Sequence, residues 1–206
     1  MFVKICGLKT PTDVDAAVRA GADAIGFVFV PGGPRSIDPE SVAELVSRVP
    51  ENVEMVGVFR NQDIDEVIRI ARAAGVQTVQ LHGDETLADL AAVKAAGFTV
   101  LRAFSADAYS KLEESERAAW DAERILLDAV EPGAGVTFDP AVLDGDFPPG
   151  DWLLAGGLRP ANVAELVALF KPAGVDVSSG VEASRGVKDP ELIRGFVAAA
   201  KAAHSN

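Results

Sequence analysis

Short apolar or β-branched runs alternate with longer stretches in which apolar residues recur every three or four positions, and the alternation continues from one end of the chain to the other. The runs predict strands near 2–6, 24–29, 53–59, 76–81, 98–104, 124–128, 152–155 and 174–177. The helical pattern predicts helices near 11–20, 39–49, 62–74, 85–96, 107–118, 160–169 and 189–202, with a weak, short one near 139–143. Pro11 and Pro160 read as first-turn residues, and Gly21, Gly75 and Gly97 as stops just past helix ends. Strands each followed by a helix, at this count, close a parallel barrel, so the expected fold is α/β, a (β/α)8 TIM barrel. A doubly wound open sheet has the same alternation, but no GxGxxG opens the first strand–helix unit.

Composition narrows the picture. With 206 residues, 49% hydrophobic and 24% charged, residues 1–206 are expected to form one globular domain. A net charge of −12 repels a phosphate backbone, so nucleic acid is not an expected partner. A small phosphate ester remains compatible, because backbone N–H groups and one well-placed Lys or Arg create local positive potential. Cys6 is the sole cysteine, which excludes an intrachain disulfide and fits a reducing, cytoplasmic setting. The start has no basic region leading into a long apolar run, and no stretch of roughly 18 apolar residues occurs, so neither a leader nor a membrane span is expected. The histidines, His82 and His204, are not at metal-ligand spacing, and no metal is expected.

Side chains alternate between the two faces of a strand. If Val3 and Ile5 meet the outer helices, Lys4 and Cys6 point into the barrel. By the same parity Gln80 and His82 face inward beside Val79 and Leu81, Asp128 lies on the inner side beyond Ile125 and Leu127, and Asp176 and Ser178 face inward around Val177. Four strands thus bring polar or reactive groups to their C-terminal ends, where barrel active sites are assembled. Each group also has a plainer reading: Cys6 as a small core hydrophobe, Asp128 as an N-cap or turn residue, Asp176 as a loop organiser, His82 as a satisfied core histidine. The segments Ala155-Gly156-Gly157-Leu158 and Ser178-Ser179-Gly180-Val181-Glu182 follow strands 7 and 8, where small residues let backbone N–H groups approach a phosphate.

Taken in order, several segments resemble the phosphoribosylanthranilate isomerase family along nearly the whole chain. They are Lys4-Ile5-Cys6-Gly7-Leu8, Gly26-Phe27-Val28-Phe29 with Pro34-Arg35, Gln80-Leu81-His82-Gly83, Leu126-Leu127-Asp128, Phe138-Asp139, and Leu154-Ala155-Gly156-Gly157-Leu158 with Pro160 and Asn162. The set closes with Gly174-Val175-Asp176-Val177-Ser178-Ser179-Gly180-Val181-Glu182, followed by Gly186, Lys188 and Asp189. The resemblance departs in the loop after Asp128 and at Pro140, where the family usually has Trp.

The resemblance implies a cofactor-free Amadori rearrangement of a phosphoribosyl substrate in tryptophan biosynthesis. It places Cys6 as general base and Asp128 as general acid. Arg35 would contact the anthranilate, with Gln80, His82 and Asp176 binding substrate and Gly156, Gly157, Ser178, Ser179 and Gly180 gripping phosphate. Lys4, beside Cys6 on the same face, is expected to favour its thiolate. Alternative readings are a histidine-pathway or dual-substrate isomerase, which places aspartate where Cys6 stands, and a non-catalytic phosphosugar-binding barrel. Monomer and homodimer are both compatible with the sequence.

Overall fold

The computed structural model describes residues 1–128 and 147–203. The helix expected near 139–143, the Phe138-Asp139 and Pro140 positions and His204 lie outside the described residues. Eight parallel strands close into a barrel in chain order: β1 (Phe2–Cys6), β2 (Ala24–Val28), β3 (Glu54–Phe59), β4 (Thr78–Leu81), β5 (Thr99–Ser105), β6 (Arg124–Asp128), β7 (Trp152–Ala155) and β8 (Gly174–Val177). The seam is a β1–β8 ladder that sets Lys4 opposite Asp176.

The helices are α1 (Pro11–Ala20), α2 (Pro39–Leu45), α3 (Ile64–Ala74), α4 (Leu87–Ala95), α5 (Ala106–Ser110), α6 (Glu114–Trp120), α7 (Val163–Phe170) and α8 (Pro190–Ala203). Their ends carry the chemistry that stops and starts helices. Pro11 opens α1, Thr10 and Asp13 exchange capping-box hydrogen bonds, and Gly21 closes it in the left-handed region at φ 85°. Odd positions of β1, including Val3 and Ile5, pack against the helices with Ile25, Phe27, Val79, Leu81, Ile125 and Leu127. Among the described residues no helix is long and apolar enough to cross a membrane.

Three expectations need correction. The helix expected at 39–49 ends at Leu45 and finishes as a single 3-10 turn, Val46–Arg48. The one expected at 107–118 is two short helices, because Arg117 folds back and donates to the carbonyls of Tyr109 and Ser110, closing the end of α5. Pro160 does not open α7: it lies in a turn in which Asn162 accepts from the Arg159 N–H and donates to the Gly157 carbonyl, delaying the helix to Val163. A small antiparallel hairpin, β9 (Glu182–Ser184) and β10 (Val187–Lys188), follows β8 and was not anticipated.

The barrel interior is filled. Ala24, Val56, Leu101, Ala103, Leu126, Leu153 and Ala155 form an inner apolar cluster separate from the sheet–helix core. Below it, at the N-terminal end, Arg124 on β6 crosses to Glu54 on β3, with Nη1 to Oε2 at 2.9 Å and Nη2 to Oε1 at 2.6 Å. The Thr78 hydroxyl also donates to Glu54, and the guanidinium sits 5.3 Å from the Phe2 ring centre. Burial alone would raise the Glu54 pKa, but the hydrogen bonds from Arg124 and Thr78 outweigh it and hold the carboxyl below its usual 4.5. A ligand must therefore enter from the opposite end.

Glu54→Gln should cost about 1–2 kcal/mol at pH 7 in denaturant unfolding, since charge-assisted bonds at a partly exposed site are lost. A carboxyl with a depressed folded pKa stabilises fully above its unfolded value and loses that contribution as pH falls. The gap between variant and parent should accordingly narrow as pH drops below 4.5. A gap that is constant from pH 7 to 3 would show that the ionised carboxylate is not what matters.

Candidate active site

The C-terminal ends of the strands surround a cavity of about 650 Å³. Cys6, Arg35, Gln80, His82, Asp128, Gly156, Gly157, Asp176, Ser178 and Ser179 all line it. Ten of the eleven residues singled out from the sequence thus share one space. Gly180 is the exception: it packs behind the wall, where an added Cβ would lie 1.7 Å from the Leu158 carbonyl oxygen. Its role is to let the loops after β7 and β8 touch. Gly156 and Gly157 hold positive φ values of 90° and 63°, and their N–H groups donate to no acceptor among the described residues. Open backbone donors on a turn of small residues form an anion cradle.

At the floor, Lys4 is completely buried and donates to Asp176 Oδ1 at 2.8 Å. Cys6 stands on the same face of β1, one step nearer the cavity, and Gly26 on β2 leaves it room: a Cβ there would fall 2.9 Å from the Cys6 sulfur. Burial pushes the Cys6 thiol above its usual 9.0, against the pull of Lys4 and Lys188, while the Asp176 carboxylate adds to the rise. Lys4 acts in the expected direction, favouring the thiolate, but it does not decide the balance. The cation is shared with Asp176, and desolvation outweighs it.

His82 is governed by burial too, which lowers its pKa to about 4 although Asp176 opposes the shift. The neutral ring has Nδ1 at 2.9 Å from the Gln80 amide nitrogen, so the amide donates to Nδ1 and the ring proton is assigned to Nε2. Gln80 Oε1 is buried without a hydrogen-bond partner. The loop carrying His82 is held from behind. Buried Arg102 donates to the Leu81 and Gly83 carbonyls at 3.1 and 2.8 Å and to Glu85 Oε2 at 2.8 Å, with its guanidinium 4.3 Å from the Phe104 ring centre. Glu85 in turn accepts from the N–H groups of Gly83 at 2.7 Å and Asn61 at 2.8 Å. The loops after β3 and β4 are further joined by Asn61 and Asp84, each of which donates to the other's side chain or accepts from it.

Residues 3–199 match the family model described as N-(5'phosphoribosyl)anthranilate (PRA) isomerase. The chain belongs to this isomerase family. It is 42% identical over 201 residues to the N-(5'-phosphoribosyl)anthranilate isomerase of Deinococcus radiodurans, covering 97% of this chain and 96% of that one. Among solved structures it is similar to TrpF from Jonesia denitrificans, with a TM-score of 0.87, 41% identity and coverage of 99% and 98%. It is also similar to a phosphoribosyl anthranilate isomerase in complex with reduced 1-(o-carboxyphenylamino)-1-deoxyribulose 5-phosphate, with a TM-score of 0.83, 34% identity and coverage of 98% and 99%.

Within this isomerase site, several residues were given no individual role by the sequence reading. Arg60 lines the rim directly after β3, where the parity of Val56 and Val58 would have pointed to it had that strand been treated like the others. Glu182 and Arg185 come from the unanticipated hairpin. Arg35 is not reaching across open space: its Nε and Nη2 donate to Glu182 at 2.6 and 3.0 Å.

Two titrations check the electrostatics. The His82 ring resonances in NMR should show a midpoint near 4, and a midpoint at 6.5 would mean that the ring is solvated. The rate of Cys6 alkylation by a small uncharged reagent should keep rising beyond pH 9.0, and a plateau reached below that value would show that Lys4 outweighs the desolvation.

Proposed function

We propose that this chain converts N-(5'-phosphoribosyl)anthranilate to 1-(2-carboxyphenylamino)-1-deoxyribulose 5-phosphate, the aldose–ketose isomerisation of tryptophan biosynthesis. The observation carrying this reading is that Cys6 at the end of β1 and Asp128 at the end of β6 face one cavity whose third side is the Gly156-Gly157 and Ser178-Ser179 cradle. The substrate has a phosphate for the cradle, a carboxylate for an arginine, and a sugar carbon between them.

The reaction relocates protons, so it balances without an oxidant or reductant. Asp128, as a carboxylic acid, protonates the furanose ring oxygen. The C1–O bond then breaks while the nitrogen lone pair forms a C1–N double bond. Cys6, as thiolate, removes the proton from C2, whose acidity the adjacent cationic imine has raised, and the electron pair forms the enaminol. Tautomerisation makes C2 the ketone and delivers a proton to C1. The burial that raises the Cys6 thiol also makes its thiolate a stronger base once formed, with Lys4 poised to stabilise the sulfur anion.

His82 and Gln80 suit the sugar hydroxyls. A neutral ring offers an Nε2–H donor, and the unpartnered Gln80 Oε1 is an acceptor that a substrate hydroxyl would satisfy. The cradle takes the phosphate and Arg35 the aryl carboxylate. A cytosolic setting, with the chain acting as monomer or homodimer, belongs to the same reading and accords with its single cysteine.

The direct test follows the loss of substrate fluorescence with purified protein. Cys6→Ser should nearly abolish turnover, because an alkoxide is far harder to form than a thiolate, and Asp128→Asn should lower kcat by about 10²–10⁴-fold. Both variants should still bind a reduced product analogue. Most of the parental kcat surviving in Cys6→Ser, or a loss under roughly tenfold in Asp128→Asn, would reassign the base or the acid.

A further inference from the structure

The loop after β2 and the β9–β10 hairpin meet above the end of β1, and two glycines make the meeting possible. Gly7 has φ 78°, and a Cβ there would lie 2.8 Å from Arg35 Cδ and 3.1 Å from Ser178 Oγ, so the Arg35 stem runs across a position that only glycine leaves open. Gly186 has φ 80°, and a Cβ there would lie 2.5 Å from the Pro34 carbonyl oxygen. Lys9 Nζ donates to the same carbonyl at 2.8 Å.

Glu182 occupies the junction with its side chain 4% exposed. Its Oε1 accepts from Arg35 Nε at 2.6 Å and from Lys188 Nζ at 3.0 Å, and its Oε2 accepts from Arg35 Nη2 and the Gly186 N–H, both at 3.0 Å. Lys188 is fully buried and also donates to the Ser178 carbonyl at 2.8 Å. A carboxylate with four donors has no reason to take up a proton: burial would raise its pKa, but the bonds from Arg35, Gly186 and Lys188 hold it at about 2. Glu182 lines the cavity yet is unsuited to proton transfer.

What the arrangement does is fix a guanidinium. Glu182 takes one edge of Arg35, Nε with Nη2, in a side-on pair. The other edge, Nη1 with the second N–H of Nη2, makes no hydrogen bond among the described residues, and the Arg35 side chain lines the cavity at 27% exposure. Lys188 offsets the Glu182 charge, so one carboxylate against two cations leaves the cluster positive. A planar fork with one edge anchored and one edge open is preorganised for a second carboxylate.

We propose that Glu182 is a positioning residue that acts through Arg35, holding the guanidinium so that its open edge meets the aryl carboxylate of the substrate at a fixed angle. This rests on the assignment of Arg35 to that carboxylate made above. Glu182 would thereby set the preference for an aryl group bearing a carboxylate without touching it.

The experiment is a double-mutant cycle with Glu182→Gln, Arg35→Ala and the double variant, reading KM and kcat for the phosphoribosyl substrate and Kd for inorganic phosphate. Glu182→Gln should raise KM about tenfold, change kcat less than about twofold and leave phosphate affinity unchanged, the signature of lost uniform binding at the carboxylate end. In the Arg35→Ala background it should add no further rise in KM. An equal rise in both backgrounds, an unchanged KM, or a parallel weakening of phosphate would overturn the proposal. If Arg35→Ala alone leaves KM unchanged, the Arg35 assignment itself fails, an outcome that is separate from the cycle. Should Glu182→Gln not fold, Glu182→Asp keeps the charge for Lys188 but is one methylene too short to span both Arg35 nitrogens. Its KM should also rise, and a parental KM in that variant would equally overturn the proposal.

Discussion

The barrel closes on a charge pair. Lys4 and Asp176 face each other across the β1–β8 seam, with the lysine wholly removed from water. Taking an ammonium out of water is costly unless a partner meets it at good geometry, so β1 and β8 must pair in the register that brings the two together. A slip by one residue would turn Lys4 toward the apolar sheet–helix layer and Cys6 away from the cavity. The pair also sets the field in which Cys6 operates, because the carboxylate that neutralises Lys4 is the same one that opposes ionisation of the thiol.

Burial is the common cause of the unusual protonation states here. It pushes Cys6 up and His82 down, in each case disfavouring the charged form. Glu182 is the counterexample: its side chain is also largely withdrawn from solvent, yet it remains charged because donors surround it. Cys6 and His82 are thus biased toward their neutral forms, while Glu182 keeps its charge among its donors.

Much of this was legible in the sequence, and the reasons are physical. Strand alternation is strict, so parity alone turned Lys4, Cys6, Gln80, His82, Asp128, Asp176 and Ser178 inward, and the same rule would have found Arg60. Periodicity located all eight strands because buried parallel strands are continuous apolar runs. Partnerships between distant segments were not legible. Glu182 lies 147 positions from Arg35, and the hairpin that carries it has no periodic signal at its length. The direction of the Cys6 shift was missed because sequence proximity to Lys4 reveals nothing of the desolvation that opposes it or of the carboxylate that shares the cation.

Among the described residues, five loops of the mouth are cross-linked: those after β3 and β4 through Asn61, Asp84 and Glu85, those after β7 and β8 through the Gly180–Leu158 contact, and those after β2 and β8 through Arg35, Pro34, Glu182 and Gly186. The unit that natural variation or an engineer can exchange is consequently the linked set of loops, two after β3 and β4 and three after β2, β7 and β8. Grafting one member from another barrel would strand its partner's buried polar atoms and drive backbone into backbone at the glycines. New specificities on this scaffold should arise by coordinated replacement, with both halves of a junction inherited together.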